Sequence, residues 1–510
     1  MPELNTLRSK LPGSTGSNST LVTNISYPKW KNRLIVLHFK LNNAAIPTMK
    51  NSEIPSISMW SFAIISLFLM NQCSINESSI YRKIRDHADQ VKVINAHEHQ
   101  HWPEEYGNHQ FRFYHLIAAS YLAADISSAG ANGDDWNLID SLSLEELWDI
   151  YGEALDYTRS TSYYSQFVKG FQKLYGFNDL YFTKENITAL SARIEENYKN
   201  YRPWFNEAFH KAGYELMFLD QYWKPFNTEL DSKYFALVFN INPLISESSR
   251  KPEEGTESRS IYKRAENDGY EINNLDDYLE FCNQLFKKNI ENKAVCLKNS
   301  QAYSRTLYYE NVPYEEARAL YNKPSSRLTP SEAKKIEDFM FHWIIQKAIE
   351  YDLPIQIHTG YLAGNGNELD NGQPVKLNNL FLKYPNAKFD LFHGGFPWTG
   401  ESAALAKMFR NVYLNIVWLP QISREEAVNA LDEMFDCVPY NKIFWGGDCG
   451  LIEESAGSLE YGKDVVSEVL ANRVERGLLT EEVAFDIVDR VFRENVIEVF
   501  NLKERLGREF

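Results

Sequence analysis

The sequence predicts an α/β chain closed into a (β/α)8 TIM barrel, with a helical insertion after the first strand. Three observations predict it. Short, nearly all-apolar runs recur between longer helical stretches, the texture of parallel strands covered on their outer side. Eight such runs can be counted, the number that closes a barrel. Run after run ends in a conspicuous polar residue, and barrels of this kind build their sites at the C-terminal ends of their strands.

The first run, residues 91–96, follows a short helix at 81–91 and ends in His97-Glu98-His99. No strand signal follows for over a hundred residues. Helical patterns fill the gap at 144–157, 162–175, 184–198 and 203–212, and define an insertion at about 104–212. Ser143 with Glu146 reads as a capping box, and Gly176 and Gly213 as helix stops. The aromatics on these helices, among them Trp148, Tyr151, Phe167 and Phe171, recur at helical spacing and read as core. Strands then follow at 215–219, ending at Asp220, and at 235–239, ending at Asn240. The next are 294–297 ending at Lys298, 354–357 at His358, 388–392 at His393, and 412–417 near Trp418. The eighth, 442–445, runs into Gly446-Gly447-Asp448. Helical stretches at 275–288, 331–351, 401–409, 423–435 and 480–500 separate several of them, and 246–260 reads as a polar loop. The barrel domain is thus expected over 81–510.

Composition narrows the partners. Lys plus Arg is 53 against 69 Asp plus Glu, a net charge of −16, which argues against nucleic acid or an anionic membrane surface as the main partner. The five cysteines, Cys73, Cys282, Cys296, Cys437 and Cys449, form neither a CxxC pair nor a disulfide framework. Residues 1–80 read as a leader, removed or disordered. Positions 1–50 carry seven Lys or Arg against Glu3 alone, and 59–70 is an apolar run too short to span a bilayer but suited to a signal peptide. Cys73 after it resembles, loosely, a lipoprotein acceptor, so export with a lipid anchor is one expectation and a cytoplasmic location the other. Met49-Lys50 would serve as a start. A homo-oligomer is also compatible with the sequence.

The chemistry gathers at the strand ends. On an extended strand residues i and i+2 share a face, so His97 and His99 can reach one cation. In a closed barrel Lys298, His358, His393 and Asp448 would converge with them. A catalytic zinc site takes about three protein ligands and leaves a position open for water, whose pKa the metal lowers toward ~7. A nearby carboxylate can then take its proton.

This pattern resembles the amidohydrolase superfamily of metal-dependent barrel enzymes, over roughly residues 90–500. Leu297–Arg305, Ile355–Gly366 and Leu391–Trp398 look most like the amidohydrolase-type domain fused to glutamine-synthetase-like modules; the long insertion is similar, more distantly, to that of uronate isomerases. The resemblance implies His97, His99 and His358 as ligands and Asp448 as ligand and general base. It implies His393 as a second-metal ligand or as a polariser of the substrate carbonyl. Lys298 has three readings: a carbamate bridging two metals, a contact to substrate or carboxylate, or a salt bridge to Asp448 or Glu98.

Around this set, Tyr303 and Arg305 are candidates to grip a substrate carboxylate, with a surface salt bridge as the alternative for Arg305. Trp398, Trp418 and Trp223 are candidate pocket walls or packed core. Glu98 should point away from the histidines, and Cys449 reads as a small buried residue. His101, His109, His115, His210 and His342 read as structural. The expected activity is metal-dependent hydrolysis of an amide, lactone or similar carbonyl of a small anionic substrate through metal-activated water, with one or two divalent ions, zinc foremost. The alternatives are a decarboxylase or uronate-type isomerase on the same scaffold, and a non-catalytic binding module.

Overall fold

The computed structural model describes residues 78–249 and 259–510. The leader expectation therefore lies outside the described residues, as do the 59–70 run, Cys73 and most of the predicted loop at 246–260; Ser79 already opens a helix, Ser79–Gln90. Among the described residues no helix is long and apolar enough to cross a membrane.

All eight strands form, in one parallel sheet ordered β1 to β8. They are β1 (Val93–Glu98), β2 (Tyr214–Leu219), β3 (Phe235–Asn240), β4 (Cys296–Asn299), β5 (Ile355–Ile357), β6 (Phe389–Leu391), β7 (Val412–Asn415) and β8 (Ile443–Phe444). The ring closes where the Ala96 N–H donates to the Trp445 carbonyl at 3.4 Å and the Asp448 N–H to the His97 carbonyl at 2.8 Å. That closure joins the first and last site residues through the backbone itself.

Seven α-helices lie between β1 and β2, where the insertion is expected; Leu144–Tyr157 and Ser162–Tyr175 match their predicted bounds. The capping box forms, with the Ser143 N–H donating to Glu146 Oε2 at 2.8 Å, and Gly176 stops its helix with a φ of 64°. The insertion is riveted to the barrel by a helix that the sequence pattern does not announce, Ile452–Glu475. It is buried on nearly every side, so it lacks the amphipathic stripe that marks a surface helix. Two glycines let it cross the Ser162–Tyr175 helix closely. A Cβ on Gly457 would lie 2.0 Å from the Gln166 carbonyl oxygen, and one on Gly170 2.0 Å from that of Glu453. Beside the crossing, buried Glu453 accepts from Tyr175 Oη at 2.8 Å, Tyr198 Oη at 3.0 Å and Trp204 Nε1 at 2.9 Å, all three from the insertion. The predicted helix over 480–500 also departs from expectation, because a π-helical turn, Arg490–Glu494, interrupts it.

The barrel interior is partly polar. Asp390 on β6 is buried, accepts from Gln356 Nε2 at 3.2 Å and Asn415 Nδ2 at 3.3 Å, and has one oxygen without a partner. Burial pushes its carboxyl from 3.8 up to about 7. A raised carboxyl holds its proton more tightly folded than unfolded. Its contribution to stability is therefore full below 3.8 and is lost as pH rises toward 7. Asp390→Asn is expected to flatten the decline in melting temperature between pH 5 and pH 8 by the equivalent of roughly 1–3 kcal/mol. Melting curves that keep the wild-type slope would contradict this.

Candidate functional site

The strand ends converge. His97 Nε2 lies 3.3 Å from His99 Nε2 and 3.3 Å from Asp448 Oδ1, and His99 Nε2 lies 3.0 Å from the same oxygen. These ligand atoms all fall within 4.8 Å of one another, as a group suited to one cation requires. His393 joins from β6, its Nε2 3.9 Å from Asp448 Oδ2, and His358 from β5, its Nδ1 3.1 Å from His393 Nε2. His97, His358, His393 and Asp448 are buried, and His99 nearly so.

Backbone carbonyls assign the tautomers. His99 Nδ1 donates to the Asp220 carbonyl at 2.9 Å, His393 Nδ1 to that of Val417 at 3.0 Å, and His358 Nε2 to that of Tyr361 at 2.8 Å. Each of these rings then turns a bare nitrogen inward. His99 Nε2 meets a carboxylate oxygen, and His393 Nε2 meets His358 Nδ1. Lone pairs this close repel unless a proton or a cation lies between them. An outer N–H spent on a carbonyl is also how metal-bound imidazoles are oriented. The donor set therefore fits a divalent cation, held first by His97, His99 and Asp448.

The electrostatics agree. Burial lowers His97 and His358 well below the usual imidazole range and brings His393 down to about 4. Burial also opposes charge on His99, but its hydrogen bond to Asp448 and the charges of Asp448 and Asp220 win and raise it. Burial alone would raise Asp448; His97 and His99 outweigh it and hold that carboxyl well below its usual range. The centre demands a positive charge, either a proton on His99 or a metal.

Lys298 Nζ lies 3.3 Å from His97 Nε2 and 3.6 Å from the Phe392 ring centroid. Burial lowers its pKa against the pull of Asp448, Asp220 and Asp390. Tyr303 stands at the rim, 43% exposed, its ring 4.8 Å from that of His358.

Arg305 does not serve the site as expected. Its guanidinium is nearly buried, pairs with Glu337 at 3.0 Å and with Asp338, and lies 4.6 Å from the Tyr309 ring centroid. The local ion pair, not a substrate, claims it. Arg305→Ala leaves the buried Asp338 carboxylate with Lys334 and the Glu310 N–H on Oδ2 and without the guanidinium on Oδ1. A loss of about 3–5 kcal/mol of stability is expected, read as a lower urea midpoint, with KM unchanged in whatever folds.

Trp398, half-buried, precedes the Thr399–Met408 helix, and its carbonyl accepts from the Ser402 N–H at 3.1 Å. Trp418 is the tryptophan that walls the centre, with ring centroids 5.0 Å from His393 and 6.5 Å from His358. Trp223 stacks on His101 at 3.6 Å. Glu98 turns away from the histidines but stays buried, taking donors from Asn95, Gln100, Cys449 and Ser455. Cys449 is buried.

Three features escaped the sequence reading. Tyr222, two residues beyond Asp220, sets its ring 5.1 Å from His99, and the strand-end rule could have found it. Tyr121 of the insertion donates to the Asp448 carbonyl at 2.6 Å and lies 4.6 Å from the Trp418 ring; no local signal marks it. His109 and His115 meet Asp140 at 2.7 and 2.9 Å. That second group is satisfied without a metal, because His115 Nδ1 accepts the Arg112 N–H at 3.3 Å and so leaves Nε2–H for Asp140.

Backbone strain marks the same face. His393, Trp418 and Asp448 take φ values of 61°, 61° and 63°, a region costly for residues with a Cβ.

Known proteins resemble this chain in part. A family model described as amidohydrolase matches residues 327–502, which hold His358, His393 and Asp448. Protein fluG of Emericella nidulans is 28% identical over 162 residues, 31% of this chain and only 18% of that protein. Over the whole barrel the likeness is structural. A uronate isomerase from Thermotoga maritima superposes with a TM-score of 0.68 at 14% identity, covering 83% of this chain and 98% of that one. A glucuronate isomerase from Caulobacter crescentus gives 0.68 at 17% identity, covering 83% and 94%. A candidate metal-dependent hydrolase from Lactobacillus casei gives 0.58 at 15% identity, covering 83% and 98%. At these identities the three structures show the fold alone.

Proposed function

We propose that the chain is a metal-dependent hydrolase of the amidohydrolase superfamily, acting on an amide, lactone or related carbonyl in a small, anionic substrate; the family model that matches residues 327–502 supports this reading. The observation that carries the reading is the convergence of His97 Nε2, His99 Nε2 and Asp448 Oδ1 at the C-terminal face of the barrel, with outer carbonyls holding the His99, His358 and His393 protons away. Two imidazole nitrogens and a carboxylate oxygen suit zinc, the ion proposed here. When bound it supplies Lewis acidity and an acidified water.

The chain's own residues divide the remaining work. Asp448 presents Oδ1 to His97 and His99 and keeps Oδ2 toward His393 at 3.9 Å, so one oxygen orients while the other can hold a proton in transit. His393, with its Nδ1–H committed to Val417 and a pKa near 4, offers a lone pair rather than a proton. That favours a ligand role, shared with His358, over polarising the substrate carbonyl. Tyr303 and Tyr222 flank the opening, where they would position the substrate. Lys298 brings its amine to the floor of the site, where it would face an anionic substrate or transition state.

The test is elemental analysis of the purified protein together with assays on N-acyl amino acids, lactones, uronates and benzoic acids. Hydrolysis that chelation abolishes and zinc restores is the expected result. Turnover of a uronate or decarboxylation of a benzoic acid, without hydrolysis, would replace the reading with isomerase or lyase. A metal-free, inactive protein would point to a binding module.

A further inference from the structure

A cavity of about 560 Å³ opens at the seam between the insertion and the loops after β5, β6 and β7. Its lining includes Asp125, Tyr163, Tyr361, Phe396, Arg424 and Tyr461. Its size is that of a site for a small molecule. Two of its rings continue into the centre: Tyr163 and Tyr361 lie 6.3 and 5.6 Å from Trp418, and the Tyr361 carbonyl holds His358 Nε2 at 2.8 Å.

Its charges are unevenly settled. Arg424 is neutralised by Glu468 and, at 3.4 Å, by Glu425; Lys169, 5.9 Å from the Tyr461 ring, is paired with Asp464 at 2.8 Å. Asp125 has no such counter-ion among the described residues, and its Oδ2 is buried without a hydrogen-bond partner. Tyr163 and Tyr361 both feel its charge. A carboxylate lacking a cation, in a cavity lined by Tyr and Phe side chains, is a surrounding in which an ammonium can gain from charge pairing and cation–π contact together.

We propose that this cavity binds a protonated amine on a short apolar stem, with Asp125 as its counter-ion and Tyr163, Tyr361, Phe396 and Tyr461 as its walls. The site stands independently of the hydrolase reading. The amine can come from the remote end of the substrate or from a separate small molecule, and the same chemistry recognises either.

Calorimetric titration with benzylamine, protonated at neutral pH, against its neutral counterpart benzyl alcohol tests the assignment on the full chain. Wild type should bind benzylamine about tenfold more tightly than benzyl alcohol. Asp125→Asn should erase that preference, Tyr461→Leu should weaken both ligands, and His97→Ala should leave both affinities unchanged. Equal affinities in wild type would overturn the proposal, as would a preference that survives Asp125→Asn. Loss of benzylamine binding in His97→Ala would also overturn it, by placing the amine on the metal-type centre. Should Asp125→Asn fail to fold, Asp125→Glu serves, with benzylamine favoured there as in wild type. Competitive inhibition of hydrolysis by benzylamine would give the site to the substrate's own tail, and non-competitive inhibition to a separate amine; both outcomes support binding in the cavity.

Discussion

Replacing His97 by Ala is expected to cut kcat/KM by about 10³-fold or more and to strip metal from the purified protein, with circular dichroism unchanged. Removing one imidazole breaks the tight group of His97, His99 and Asp448 and leaves the cation to a weaker, more widely spaced donor set; the loss of Lewis acidity alone is worth several kcal/mol in the barrier. Asp448→Asn should cost as much for a different reason. The amide keeps the shape but removes both the negative charge and the proton acceptor. It carries a second readout in the metal-free protein, where Asp448 raises the His99 pKa. In the variant that pKa should fall, visible as a move of the midpoint of the His99 ring-proton titration to lower pH. Either variant retaining full turnover and full metal content would remove the basis of the proposed function.

The second large effect is on stability. Gly457→Val is expected to cost about 3 kcal/mol or more, because even a Cβ there would meet the Gln166 carbonyl oxygen at 2.0 Å. Both partners at the crossing are helix backbone, so neither can turn aside as a flexible side chain would. The helices must separate, and with them the three donors that satisfy Glu453. Limited proteolysis should then cut first in the insertion. A melting temperature equal to that of wild type would mean that the two helices do not cross at these glycines.

Much of this architecture was legible in the residues. The strands could be read because strands buried on both faces leave short, mostly apolar runs, interrupted only by single polar residues such as Gln356 and Asp390, and a site residue at the end of several of them breaks the run. His97, His99, His358, His393 and Asp448 were legible for that reason, and the structure brings them together. Arg305 misled because a sequence shows that an arginine follows the strand but not that Glu337 and Asp338, some thirty residues on, will take its guanidinium first. The Ile452–Glu475 helix was hidden by the opposite of a weak signal. Packed on almost all sides, it keeps its glycines and buried glutamates for one crossing partner each, and no period of 3.6 survives. Tyr121 and the Asp125 cavity depend on where the insertion folds back, which no local pattern encodes.

The left-handed turns at His393, Trp418 and Asp448 have a bearing on how this protein could be engineered. Each is a position where glycine would relax the main chain by about 1 kcal/mol or more. A screen that rewards heat resistance alone would drift toward those exchanges and discard the ring or carboxylate that each position displays. Thermal hardening of this barrel should therefore begin at its opposite end, with the rim of loops above the strands held fixed.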